Sequence, residues 1–116
     1  MIAIVCRSAY LSSTLAGMLS GVRAVRYAPE GTGNDMRNWL TDTLKGNRIS
    51  VVFYEPAFFI DPAPYRSMSP STRFVVLASP GEESAGNDAL AFGAAAMLAK
   101  PVEKNAVSGV FQLVSV

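Results

Sequence analysis

The stretch AAAMLAKP, residues 94–101, decides the fold, because it joins a buried-strand pattern to a charged residue at the end of that strand. Residues 94–99 are all apolar, which is typical of a strand covered on both faces of a parallel sheet. Pro101 fixes the backbone and stops the strand, so Lys100 stands at its carboxyl end. Open α/β sheets place their binding groups at that edge. The stretch therefore predicts an α/β domain with a cation facing a phosphate or a carboxylate.

Towards the amino terminus, further apolar runs alternate with helical patterns. The predicted strands are Ile2–Cys6, Val22–Tyr27, Ile49–Tyr54, Arg73–Ala78 and Ala94–Ala99. The predicted helices lie within residues 11–19, 36–44, 65–68, 83–92 and 106–114. Such alternation favours parallel strands, right-handed crossovers and helices on both faces of one sheet. We predict a three-layer α/β fold built on a five-stranded parallel sheet.

Polar residues ahead of the helical patterns are candidate helix caps, because their side chains can accept the first free backbone N–H groups. Ser8, Ser12 and Ser13 are alternatives for the first helix, and Asn34 and Asp35 are alternatives for the second. The sequence does not choose within either set.

Composition excludes several classes of protein. The chain has 116 residues, of which 50% are hydrophobic and 16% charged, enough for one core and unlike a disordered chain. A net charge of +1 gives no general attraction to nucleic acid or to acidic lipid, so we expect neither as a partner. No apolar run approaches the roughly 18 residues that suggest a membrane span. The single cysteine and the absence of a secretory pattern predict a cytoplasmic location.

The absence of histidine limits the chemistry that the chain can carry out alone. Histidine is the commonest general base and a common metal ligand, and this sequence contains none. A self-contained hydrolase or a zinc site is therefore disfavoured, and we expect no cofactor.

Three stretches resemble the second half of a response-regulator receiver domain. They are FVVLAS at 74–79, ALAFGA at 89–94 and MLAKP at 97–101. The resemblance implies one receiver-like domain over residues 1–116, with a flavodoxin-like strand order 2-1-3-4-5. In that family an aspartate ending strand three is phosphorylated, with magnesium held by two acids that end strand one. A Thr or Ser ending strand four and the lysine of strand five contact the phosphoryl group.

Only part of that pocket is present in this sequence. Ser79 matches the Thr/Ser position and Lys100 matches the lysine. Cys6 and Arg7 fall where the two acids should be, and Glu55 falls where the phosphorylated aspartate should be. Magnesium demands oxygen ligands in near-octahedral geometry, which a thiol and a guanidinium do not supply. The resemblance therefore implies a degenerate, non-enzymatic pocket, in which Lys100 and the Arg7 side chain neutralise Glu55 without phosphate.

This reading predicts an atypical receiver domain in bacterial signal transduction. We expect phosphorylation-independent contact with a signalling protein or an attached output domain, or dimerisation with a second copy. In the family the surface of helix four, strand five and helix five makes such contacts, and here it would include Met97, Leu98, Pro101 and Val110. Met97 replaces the aromatic switch residue three places before the lysine, so the usual coupling from site to surface is expected to be absent.

Two other functions stay open. Cys6, followed by the Ser- and Thr-rich residues 12–14, also resembles the phosphocysteine loop of sugar phosphotransferase IIB proteins, although the loop glycine is missing. Helix amides and Arg7 would there favour the thiolate. Alternatively, Lys100 and Arg7 could hold a small anion at the sheet edge, as in a sensor domain.

Overall fold

Strands and helices alternate along the whole described chain. The computed structural model describes residues 1–19, 21–27, 36–58 and 60–114. Its strands are β1 (Ile2–Val5), β2 (Ala24–Arg26), β3 (Val51–Tyr54), β4 (Arg73–Ala78) and β5 (Ala96–Ala99). Its helices are α1 (Ala9–Met18), α2 (Met36–Gly46), α3 (Ala63–Arg66), α4 (Glu83–Ala91) and α5 (Lys104–Val114). The described helices include none that is long and apolar enough to cross a bilayer.

The five strands form one parallel sheet in the order β2-β1-β3-β4-β5. Across the sheet, Val5 lies opposite Tyr54, and Tyr54 lies opposite Val76. Ala78 then lies opposite Ala99 at the ends of β4 and β5. The carboxyl ends of four adjacent strands therefore meet at one edge. Both the predicted fold class and the predicted strand order are confirmed.

The central strands are buried on both faces, which is why they read as continuous apolar runs. Every residue of β1 and of β3 is buried. Because successive side chains point to opposite faces, Ala3 and Val5 join a core with Leu40 of α2. Ile2 and Ile4 join a second core with helices α1 and α5. Helices therefore cover both sides of the sheet.

The structure shows which serine caps the first helix. The Ser8 side chain accepts a hydrogen bond from the Leu11 N–H at 3.2 Å, so Ser8 caps α1. Ser12 is instead buried within the helix, at 3% exposure. The candidate caps Asn34 and Asp35 lie outside the described residues.

The third helix begins earlier than the sequence predicted. The expected helix at residues 65–68 is replaced by α3 at Ala63–Arg66, with Pro62 at its N-cap position. Proline is tolerated in a first helical turn because its missing N–H has no intrahelical partner there. The Asp61 carboxylate accepts the Ala63 N–H at 3.0 Å, which supports this early start. α3 has only four residues, so it covers little of the sheet.

Candidate functional site

The site residues predicted from the sequence meet at the carboxyl edge of the sheet. Cys6 and Arg7 follow β1, Glu55 follows β3, Ser79 follows β4 and Lys100 follows β5. Ladder-type hydrogen bonds continue one residue past the strands. The Glu55 N–H donates to the carbonyl of β1's last residue at 3.2 Å, and the Lys100 N–H donates to that of β4 at 2.8 Å. The backbone therefore fixes the positions from which both charged side chains project.

Glu55 and Lys100 form an ion pair at the centre of this edge. Lys100 Nζ contacts Glu55 Oε2, and the two side chains are only 17% and 12% exposed, respectively. Glu55 Oε1 accepts a second hydrogen bond, from the Arg7 backbone N–H at 2.6 Å. Both oxygens of the carboxylate are thus engaged by donors. Hydrogen bonds to an ionised acceptor are among the stronger ones in proteins.

Arg7 contributes to this pocket through its backbone, and the expectation that its guanidinium covers Glu55 was wrong. Its N–H follows directly from β1 and points at Glu55 Oε1, while the residue as a whole is exposed. A backbone donor is fixed by the sheet and loses no side-chain entropy, whereas a long arginine side chain remains solvated.

Cys6 is buried under the same edge. It is 1% exposed and belongs to the core that contains α1 and α5. Burial, and then the Glu55 charge, raise the pKa of the Cys6 thiol to about 12, although Lys100 and a hydrogen bond with Ser12 act in the opposite direction. Since the thiolate is the nucleophile, a buried thiol that stays protonated at neutral pH is unsuited to a phosphocysteine mechanism.

A residue that sequence reasoning missed, Glu82, completes the turn after β4. Its Oε1 accepts the Ser79 N–H at 2.8 Å, while its own N–H donates to the Ser79 carbonyl at 2.8 Å. The Ser79 N–H holds the pKa of Glu82 below its usual range, and the charges of Lys100 and Arg7 act in the same direction. The Ser-x-x-Glu spacing of a capping box was the available signal. This side chain adds a second carboxylate in the field of Lys100.

The side chains at this edge of the sheet are unsuitable as magnesium ligands. Cys6 offers a protonated thiol, Arg7 brings a cation, and the oxygens of Glu55 are already engaged. Magnesium needs several hard oxygen ligands in octahedral geometry. Within residues 1–19, 21–27, 36–58 and 60–114, no group of three or more His, Cys, Asp or Glu side chains has a metal-holding arrangement.

The predicted contact residues differ in exposure. Pro101 is exposed, and its peptide bond with Lys100 is cis, whereas Met97 and Val110 are partly buried. Leu98 is 6% exposed and packs in the core with α1 and α5, so its assignment to an interaction surface was wrong. Alternation along β5 turns this side chain inward. A Cβ built on Gly86 of α4 would overlap the Met97 sulfur, so Met97 packs closely between β5 and α4.

Comparison with known proteins identifies the fold. No protein-family model and no curated protein matches the sequence. The receiver domain of NtrX from Brucella abortus matches with a TM-score of 0.74 and 17% identity, over 97% of each chain. The REC domain of AraT, a response regulator from Geobacillus stearothermophilus, matches with a TM-score of 0.73 and 17% identity, over 97% of this chain and 91% of that one. A response regulator from Thermotoga maritima matches at 0.69 and 15%, over 100% and 99%. The chain therefore has the fold of a receiver domain.

Proposed function

We propose that this chain is a non-enzymatic receiver domain of bacterial signal transduction that acts without phosphorylation. Its output is contact with a signalling protein, with an attached output domain or with a second copy of itself. The receiver fold, shared with response regulators from three bacteria, supports the signalling role. One observation carries the phosphorylation-independent part: both oxygens of Glu55 are already bound by groups of this chain.

Phosphoryl transfer to a carboxylate needs an oxygen that is free to attack phosphorus. In this pocket each oxygen has a second lone pair, but attack through Oε2 or Oε1 withdraws negative charge from the group that the oxygen binds, Lys100 or the Arg7 N–H, and weakens that contact. A hydrogen bond to a charged group contributes about 1.5–3 kcal/mol, so either route adds to the barrier. Cys6 and Arg7 supply no oxygen ligand for the magnesium ion that would offset the incoming phosphoryl charge.

The same pair gives the sheet edge a fixed electrostatic state. The ammonium group of Lys100 contacts the carboxylate of Glu55, which is part of the same chain. The positive charge of Lys100 is therefore paired without an added phosphoryl group. This arrangement also disfavours the small-anion sensor, because a free anion would compete with Glu55 for the same ammonium group. The module is therefore in one state unless a partner changes it.

Phosphorylation can be tested directly by intact-protein mass spectrometry. The chain is incubated with acetyl phosphate or phosphoramidate and magnesium, beside a receiver domain that has an intact acidic pocket. We expect a phosphoryl adduct on the comparison protein and none on this chain. An adduct that forms on the wild type and is lost in Glu55→Gln would refute the proposal.

Self-association is tested by sedimentation velocity over a wide concentration range. Leu113 of α5 is 77% exposed, which makes it a suitable reporter on the proposed contact face. If the chain pairs through this face, Leu113→Glu weakens the association, while Tyr10→Glu on α1, where the side chain is 82% exposed, does not. A mass that stays that of a monomer at every concentration contradicts the homodimer and leaves a different protein or domain as the partner.

A further inference from the structure

The amino-terminal edge of the sheet, opposite the edge that holds Glu55 and Lys100, is rich in positive charge. The loops that lead from α1 to β2, from α2 to β3 and from α3 to β4 all lie at this edge. Five basic residues, all of them exposed, lie in these loops or within two residues of them: Arg23, Lys45, Arg48, Arg66 and Arg73. We call this set the basic edge.

No carboxylate neutralises the basic edge. The described residues of the three loops, which are 19, 21–23, 47–50 and 67–72, include no Asp or Glu. None of the five cations forms an ion pair with a described residue. The nearest acid along the chain, Asp42, lies about one helical turn inside α2. The net charge of +1 for the whole chain therefore hides a local excess of positive charge at this edge.

Backbone hydrogen bonds fix the loops of the basic edge in one row. The Ile2 N–H donates to the Arg23 carbonyl at 2.8 Å. The Ser50 N–H donates to the Met1 carbonyl at 2.9 Å, and the Arg73 N–H donates to the Ser50 carbonyl at 3.0 Å. Because neighbouring strands lie about 4.8 Å apart, the row from β2 to β4 is about 14 Å long. The backbone that carries these cations is therefore already ordered before any partner binds.

The fold itself accounts for at most two of the five cations. Lys45 and Arg66 lie in the last turns of α2 and α3, where the helix dipole favours a positive charge. Arg23, Arg48 and Arg73 lie outside the helices. Like charges that are held close together repel each other and oppose the compact state. A partner that supplies negative charge removes this repulsion.

We propose that the basic edge docks an extended, Asp- and Glu-rich segment of a partner protein. Four of its five cations are arginines, whose planar guanidinium groups bind carboxylates bidentately. Attraction to an anionic lipid surface does not distinguish Arg from Lys. The described residues of the three loops include no aromatic side chain on which a nucleic-acid base could stack. Six extended residues span about 20 Å, which is enough to cover the row from β2 to β4.

This inference rests on the proposed function only in that the partner is a protein. Its probe is a peptide of six glutamates, titrated into the full, ¹⁵N-labelled chain at about 50 mM salt, where screening is weak. A peptide of six serines is the neutral control. We expect amide shifts centred on residues 21–23, 45–50 and 66–73 with the glutamate peptide alone. Raising the salt to about 0.5 M shortens the screening length to about 4 Å and should weaken binding at least about fivefold.

Two double variants of equal net charge separate the basic edge from the overall charge of the chain. Arg48→Gln combined with Arg73→Gln should weaken binding of the glutamate peptide about fivefold, the effect of losing two exposed ion pairs. Arg37→Gln combined with Lys104→Gln removes the same charge from exposed positions at the starts of α2 and α5, which lie at the other edge. This control should change the affinity by less than about twofold, because its charges are distant from the row and screened.

The proposal is overturned if the glutamate peptide does not bind, if the two double variants weaken binding equally, or if the shifts centre on the carboxyl edge. Tighter binding of a six-nucleotide thymidylate would assign the basic edge to nucleic acid instead. Tighter binding of vesicles with about 30% phosphatidylserine would assign it to a membrane surface. Either of these results overturns the proposal as well. None of them bears on the phosphorylation test, which reports on Glu55 alone.

Discussion

Replacing Lys100 with methionine leaves the Glu55 carboxylate without its cation and tests how far the edge ion pair stabilises the fold. Exposed ion pairs contribute up to about 1 kcal/mol, whereas breaking a fully buried pair costs about 3–5 kcal/mol. The side-chain exposures of 17% and 12% place this pair between those limits. The Arg7 N–H still supports the carboxylate in the variant. We therefore expect a loss of about 2 kcal/mol in the free energy of unfolding, or about 8 °C in Tm.

A double-mutant cycle measured by urea denaturation isolates the pair itself. Lys100→Met, Glu55→Gln and the double variant are compared with the wild type, and we expect a coupling of about 1–2 kcal/mol. The double variant should be less destabilised than the sum of the single ones, because no uncompensated charge remains. Lys104→Met, at an exposed position that begins α5, should change stability by no more than about 0.5 kcal/mol. Additive single effects, within about 0.5 kcal/mol, would show that the contact contributes nothing measurable.

Further predictions concern helix packing and the buried thiol and phenol. Gly86→Ala should stabilise the chain less than Gly17→Ala, because the flexible Met97 side chain must move away from the new methyl group. Gly17→Ala meets no atom within 4 Å and should gain about 0.5–1 kcal/mol; equal effects in thermal melts would contradict this. Cys6 should react with a thiol reagent at about pH 8 at least a hundredfold more slowly in the native chain than in urea, since its thiol is buried and protonated; similar rates would contradict the burial. Because folding raises the pKa of both Cys6 and Tyr54, from 9.0 and 10.0 to about 12, the folded chain retains protons that the unfolded chain releases. The free energy of unfolding should therefore fall as pH rises from about 9 to about 12, less steeply in Tyr54→Phe, and a urea midpoint constant over that range would contradict the sign.

The strands, their order and their alternation with helices were predictable, because they follow from residue patterns that a single sequence contains. The strands β1 and β3 are short, continuous apolar runs, and such runs are required where both faces of a parallel strand are covered. Alternation with helices then leaves few topologies. The meeting of Glu55 with Lys100 follows from the same rule, since residues that end parallel strands share one edge.

The missed details depend on geometry that a residue pattern does not encode. Leu98 and Met97 are apolar neighbours, and in a strand covered on both faces apolar and polar residues do not alternate. The sequence therefore does not show which of the two side chains is the more deeply buried. The role of Arg7 belongs to its backbone, which is independent of side-chain type. Glu82 reaches back along its own turn to Ser79, an effect of loop conformation that only the spacing hinted at.

The coupling of Cys6 to Glu55 limits which side chains position 6 can hold. The Glu55 charge raises the pKa of the Cys6 thiol, which means that a negative charge at position 6 is disfavoured while Glu55 is ionised. An acid placed at position 6 alone would be a buried carboxylate beside Glu55, with no metal ion to offset the added charge. A magnesium-dependent pocket at this edge would therefore require coordinated replacements at positions 6, 7 and 55.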